Sequence, residues 1–290
     1  MNVILLSLIP MIWYGIYDYL ISKPSRAISS TTLMLLVVIS NLLVFTCIFS
    51  ISWQSFVFQK EIIYMLFAAI TWYLGLMLYS RSLKTGNPWI NSSIANAYPA
   101  ITVCIWYFFF KEYLTWIQLL FLVCILLWII FSSFHISEIR SLSLSKSKTS
   151  LFYALGATCM WALYVTCLDT AVKYFHPITM AWYIDAFGLL LISPIIFLKR
   201  KKVFPELVNT SKENYMYIWI LALIGSSASI WFWYAFSFGS LAIVSAIAAC
   251  SPAVTTLLSR IFWNEKLEII QYMAIWVLVF GISGLSYVSL

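Results

Sequence analysis

Ten runs of this sequence are about 20 residues long and nearly free of charge: 3–22, 31–51, 61–80, 88–110, 114–134, 151–172, 178–198, 215–235, 241–263 and 268–288. That is the length an α-helix needs to cross a bilayer core, where only elements that satisfy their own backbone hydrogen bonds can span. The expected fold is therefore an all-α membrane protein with ten transmembrane helices. Composition agrees, since 63% of residues are hydrophobic and 9% charged, against about 25% charged in soluble domains. The first run has no basic residue before it, the first being Lys23, so it reads as a retained helix and not a cleaved signal.

The net charge of +7 is explained by where the charges lie, not by a nucleic-acid partner. Fourteen of the 17 basic residues fall in the connections after runs 1, 3, 5, 7 and 9 or, for Arg260, in the last turn of run 9; among them are Lys23, Arg26, Arg81, Lys84 and Lys199 to Lys202. The other connections hold Lys60, Lys111 and Lys173. The positive-inside rule puts the first set in the cytoplasm and both termini outside. The expected setting is a prokaryotic inner (plasma) membrane.

A polar connector at 137–150 separates residues 1–136 from residues 151–290, each with five runs. A shift of 153 lays Gly86, Ala95, Pro99, Thr102, Glu112, Leu114 and Gln118 on Gly239, Ala248, Pro252, Thr255, Glu265, Leu267 and Gln271. Near the front of each half, Trp13 and Trp161 correspond at a shift of 148. Five is odd, so a second copy enters the membrane from the opposite side. The halves are expected to be inverted repeats, a design that lets two units exchange conformations around a central site.

Pro99 and Pro252 each remove a helical hydrogen bond, to the carbonyls of Ala95 and Ala248. A kink that merely shapes packing is the plain reading. Polar residues coincide with both kinks: Asn91, Ala95, Tyr98 and Thr102 share one helical face, as do Ala248, Ser251 and Thr255. Pro99 and Pro252 are thus candidate hinges. Glu112 and Glu265, about 20 Å further along a helix, read as helix-end punctuation.

The stretches "YSRSLKTGNPWINSSIANAYPAITVCIWYFFFKEYLTWIQ" (79–118) and "FWYAFSFGSLAIVSAIAACSPAVTTLLSRIFWNEKLEIIQ" (232–271) resemble two copies of the EamA-type unit of the drug/metabolite transporter superfamily. The resemblance extends over nearly the whole chain and implies a ten-span transporter with a cavity lined by spans 1, 3, 4, 6, 8 and 9. Gly281 matches a glycine common in the family's fifth span, where the first half has Trp128. Family members are described with both termini in the cytoplasm, opposite to the charge distribution here.

Candidate substrate-binding residues are Trp13, Tyr17, Asn91, Ala95, Asn96, Tyr98, Thr102, Trp161, Tyr164, Asp185, Trp233, Ala248, Ser251 and Thr255. The alternative for the aromatics is an interfacial belt. Of the three acids inside the apolar runs and not at their first residue, Asp185 is the deepest and could hold a cationic group or a coupling proton. Asp18 and Asp169, nearer the ends of their runs, read as hydrogen-bonding to a neighbouring helix or exposed at the interface. The six cysteines show no metal-ligand spacing, His135 and His176 sit at run ends, and no Walker motif is present. No cofactor, metal or enzymatic chemistry is expected.

The function expected is a secondary transporter moving an amino acid or related amphipathic metabolite by alternating access, with a proton as a candidate coupling ion. Export of cationic or quaternary-amine compounds is the alternative, and a lipid flippase or non-transporting scaffold is the alternative of another class. The expected partners are a small-molecule substrate and the bilayer, with the protein a monomer or weak homodimer.

Overall fold

The computed structural model describes residues 3–52, 56, 58–86, 88–105, 108, 115–132, 144–239, 241–263, 276–277, 280–281 and 284, with no strand among them. The helices are α1 (Val3–Ala27), α2 (Ser30–Ile51), α3 (Ile62–Thr85), α4 (Pro88–Asn96), α5 (Tyr98–Ile105), α6 (Trp116–Ser132), α7 (Leu144–Ala171), α8 (Pro177–Leu198), α9 (Arg200–Asn209), α10 (Lys212–Phe236), α11 (Leu241–Ala248) and α12 (Ser251–Trp263). Among the described residues, seven stretches are long and apolar enough to cross a membrane: α1, α2, α3, α7 from Lys148, α8, α10, and 243–262 across α11 and α12. The expected span at 88–110 is represented by the broken pair α4 and α5, and that at 114–134 by the 17 residues of α6. Most of 268–288, together with Glu112 and Glu265, lies outside the described residues.

Local chemistry sets several helix starts. The hydroxyls of Ser29 and Ser211 accept from the amides of Thr32 and Asn214, capping α2 and α10. His176 caps α8, where Pro177 takes a first-turn position that needs no amide hydrogen.

The packing has a two-fold pattern. α3 packs on α7 as α1 packs on α10, α3 meets α8 as α10 meets α2, and α7 holds α4 and α5 as α1 holds α11 and α12. Exchanging the halves turns each pairing into its counterpart, and α2 against α8 maps onto itself.

The breaks in the proline helices differ from the kinks expected. Each proline stands in the first turn of a new helix, α5 or α12, where its missing amide hydrogen leaves no bond unmade. Tightened i to i+3 bonds flank each break. Ala97 N donates to Ile94 O and Ala100 N to Ala97 O, both at 3.1 Å; Cys250 N donates to Ile247 O at 3.1 Å and Ala253 N to Cys250 O at 2.9 Å. These bonds correspond pair by pair at the shift of 153. The hydroxyls of Thr102 and Thr255 donate back to the carbonyls of Tyr98 and Ser251, again in register.

Several of the connections expected on the basic side meet at one end of the bundle. Lys84 donates to the carbonyl of Ile28, and Lys23 pairs with Glu213. Glu206 on α9 accepts from the amide and hydroxyl of Ser29 and the hydroxyl of Thr32. Partial burial pushes the Glu206 carboxyl up, but these donors and nearby Lys202 outweigh it and hold the group below its ordinary value.

Candidate functional site

Between the halves lies a partly open cavity with about 710 Å³ of atom-free space, its solvent-open part included. Its wall is built from matched positions. From α1 come Tyr14, Tyr17 and Asp18, and from α7 Trp161, Tyr164 and Val165, corresponding at a shift of 147. From α3 come Trp72, Leu76 and Tyr79, and from α10 Gly225, Ser229 and Phe232, corresponding at 153. Asn41, Asn96 and Tyr98 complete the lining. The cavity therefore straddles the relation between the halves.

Asp18 is the polar centre of this wall. It is buried, and its partners come from three other elements: Tyr79 Oη donates to Oδ1 at 3.1 Å, while Oδ2 accepts from Asn96 Nδ2 at 3.1 Å, Ser92 Oγ at 3.2 Å and Ser251 Oγ at 3.5 Å. Ser251 also lies 3.3 Å from Asn96 Oδ1, so its single proton is shared between two acceptors. All four donors are neutral, and among the described residues no Lys, Arg or His lines the cavity. Asn41 on α2 adds a buried amide oxygen with no hydrogen-bond partner among the described residues.

Aromatic rings form the remaining wall. Trp161 stacks on Trp72 at 5.9 Å and 28°, lies 5.2 Å from Tyr79 and meets Tyr98 edge-on at 6.5 Å. Trp72 lies 4.9 Å from Tyr164, and Tyr14 meets Phe232 edge-on at 5.9 Å. The close approach of Trp161 to α3 requires Gly75, because a β-carbon there would stand 2.6 Å from the indole.

Of the residues expected at the site, Tyr17, Asn96, Tyr98, Trp161 and Tyr164 line the cavity, and Ser251 stands directly behind it on Asp18. Asn91 does not reach the wall: its amide donates to Ser82 O at 2.7 Å and accepts from Ser150 Oγ at 3.2 Å, tying α4 to α3 and α7. Thr102 and Thr255 serve their own helices, Thr255 also donating to Gly15 O at 2.9 Å. Ala95 and Ala248 are buried away from the lining. Trp13 lies off the wall, because a shift of 147, not 148, relates the cavity faces of α1 and α7 and pairs Trp161 with Tyr14. Trp233 is buried against Phe45 at 6.4 Å. Asp185 also lies off the lining and accepts from the hydroxyl of Tyr73, whose ring occupies the space over Gly188. Asp169 pairs with Lys173 at 3.4 Å.

Asn41 and Tyr79 carry no mark in the sequence as site residues, and Asp18 reads there as an acid near a helix end. Tyr14 and Trp72 belong to the aromatics that the sequence projects onto a cavity, and both line it.

Two related helical halves, with seven apolar stretches of spanning length among the described residues, define a multi-pass membrane protein. The chain belongs to the EamA-like transporter family of the drug/metabolite transporter superfamily, whose model matches it twice, at residues 1–134 and 148–287. A solved structure described as "Crystal structure of protein" is similar in fold, with a TM-score of 0.79 and 12% identity over 99% of this chain and 99% of that one. No curated protein matches the sequence.

Proposed function

We propose that the protein is a secondary transporter carrying a small organic cation, an amine with an apolar or aromatic body, by alternating access of the central cavity. The observation that carries this reading is Asp18: a carboxylate in the cavity wall that, among the described residues, is held by neutral donors alone, with no basic residue in the lining. A carboxylate within the membrane is costly unless paired or protonated. A cationic cargo supplies the missing charge, and Trp72, Trp161 and the tyrosines supply faces that attract it. An amino acid fits less well, because its own carboxylate would meet no positive group in the lining. A proton can replace the cargo on Asp18 when the cation leaves, which makes proton exchange the coupling to test. The basic end is assigned to the cytoplasm.

Proteoliposomes loaded with benzyltrimethylammonium test this proposal. Saturable counterflow, driven further by a pH gradient and lost in Asp18→Asn, is expected. Flux equal to that of protein-free vesicles, across a panel of amines and amino acids, would favour the scaffold reading.

A further inference from the structure

We propose that α9 is a binding site for anionic lipid headgroups at the membrane surface. The helix joins α8 to α10, both long and apolar enough to cross the bilayer, so it lies where chain leaves one span and enters the next. With 3.6 residues per turn, the helix from Lys202 onward and its C-cap Thr210 divide into three strips. Val203, Glu206, Leu207 and Thr210 share the strip that faces the protein, with Val203 only 1% exposed. Phe204 and Val208 form a second, 59% and 84% exposed. Lys202, Pro205 and Asn209 form the third.

The turn leading into α9 continues the pattern. Phe197 and Leu198 are 66% and 83% exposed, immediately before the run Lys199, Arg200, Lys201 and Lys202. Arg200 lies 4.9 Å over the Phe197 ring, and among the described residues none of the four cations makes a salt bridge. Large apolar side chains beside unpaired cations are poorly placed in water. At a membrane surface the apolar strip enters the acyl boundary while the cations meet phosphates.

The roll of the helix is fixed by the protein. Glu206 accepts from Ser29 N and Oγ at 2.5 Å and from Thr32 Oγ1 at 2.6 Å, and Tyr215 Oη donates to Leu207 O at 2.8 Å. Phe204 and Val208 are therefore held outward independently of lipid. The apolar strip commits the site to a lipid and not to free phosphate. Glu206 also anchors α9 to the start of α2, the helix that carries Asn41 into the cavity wall.

The full-length protein in nanodiscs of phosphatidylcholine, with or without phosphatidylglycerol, tests the site by melting temperature and by lipid retained in native mass spectrometry. Phosphatidylglycerol is expected to raise the wild-type melting temperature. The variant with Lys199, Arg200, Lys201 and Lys202 all changed to Gln should lose that increment and retain the lipid about tenfold less, while melting normally in phosphatidylcholine. Phe204→Ser with Val208→Ser, which leaves the charges in place, should lose part of the increment and provides the test if the first variant does not fold. Lys60→Gln, a cation in the α2 to α3 connection, should change nothing. An undiminished increment in both α9 variants, an equal loss in Lys60→Gln, or reproduction of the effect by inorganic phosphate would overturn the proposal.

Discussion

Two poles of the cavity occupy equivalent places in the two halves and differ in chemistry. At one, Asp18 is held by Tyr79 and Asn96. At the equivalent positions, at shifts of 147 and 153, stand Val165, Phe232 and Ala249. The backbones correspond down to the bonds around Ala97 and Cys250, yet an acid, a phenol and an amide are replaced by three apolar groups. Divergence at these three pairs leaves the acid, the phenol and the amide on one side of the repeat relation and apolar groups on the other. The cation with an apolar body proposed above would meet its one acidic partner on the Asp18 side of that relation.

The sharpest way to break the contrast is Asp18→Asn, which keeps the shape and removes the charge. Affinity for benzyltrimethylammonium, measured by equilibrium binding, should fall about 100-fold. Writing an acid into the other pole tests the same contrast from the opposite side. Val165→Asp places a carboxyl opposite the equivalents of Tyr79 and Asn96, which here are Phe232 and Ala249 and donate nothing. It should destabilise the protein by about 2–3 kcal/mol in thermal or denaturant unfolding, without restoring binding to Asp18→Asn. Trp161→Ala should weaken binding about tenfold through loss of a cation-attracting face, with little change for a neutral ligand of the same size. Tyr79→Phe, which copies Phe232 into the acid pole, removes one hydrogen bond and should cost about 1 kcal/mol, or roughly fivefold in affinity.

How much of this was legible in the sequence varies by element. The repeat in the proline helices was plain, because Pro99 and Pro252 carry a constraint that survives divergence. The face of α1 was not. Matching Trp13 to Trp161 by identity set the register one residue off, and one residue turns a helix by about 100°, enough to place Trp13 off the wall. Asp18 looked terminal because the first apolar run ends at 22, whereas the helix continues through Pro24 to Ala27 and leaves the residue well inside. Asp185 lies off the cavity lining, which its position within an apolar run does not reveal. A helix surrounded by lipid and apolar neighbours shows no polar side from which its orientation can be read. Its partner Tyr73 depends on the room left by Gly188, a contact between distant segments.

The central claim is that one carboxylate, set in an aromatic wall, recognises a positive charge. Trp72 and Trp161 line the cavity and report directly on its occupancy. Titration of the purified protein's tryptophan fluorescence with benzyltrimethylammonium and, separately, with benzoate tests the claim most directly. Saturable quenching by the cation that disappears in Asp18→Asn, with no response to benzoate, is the expected result. Equal responses to both ions, or a cation response that survives Asp18→Asn unchanged, would contradict it.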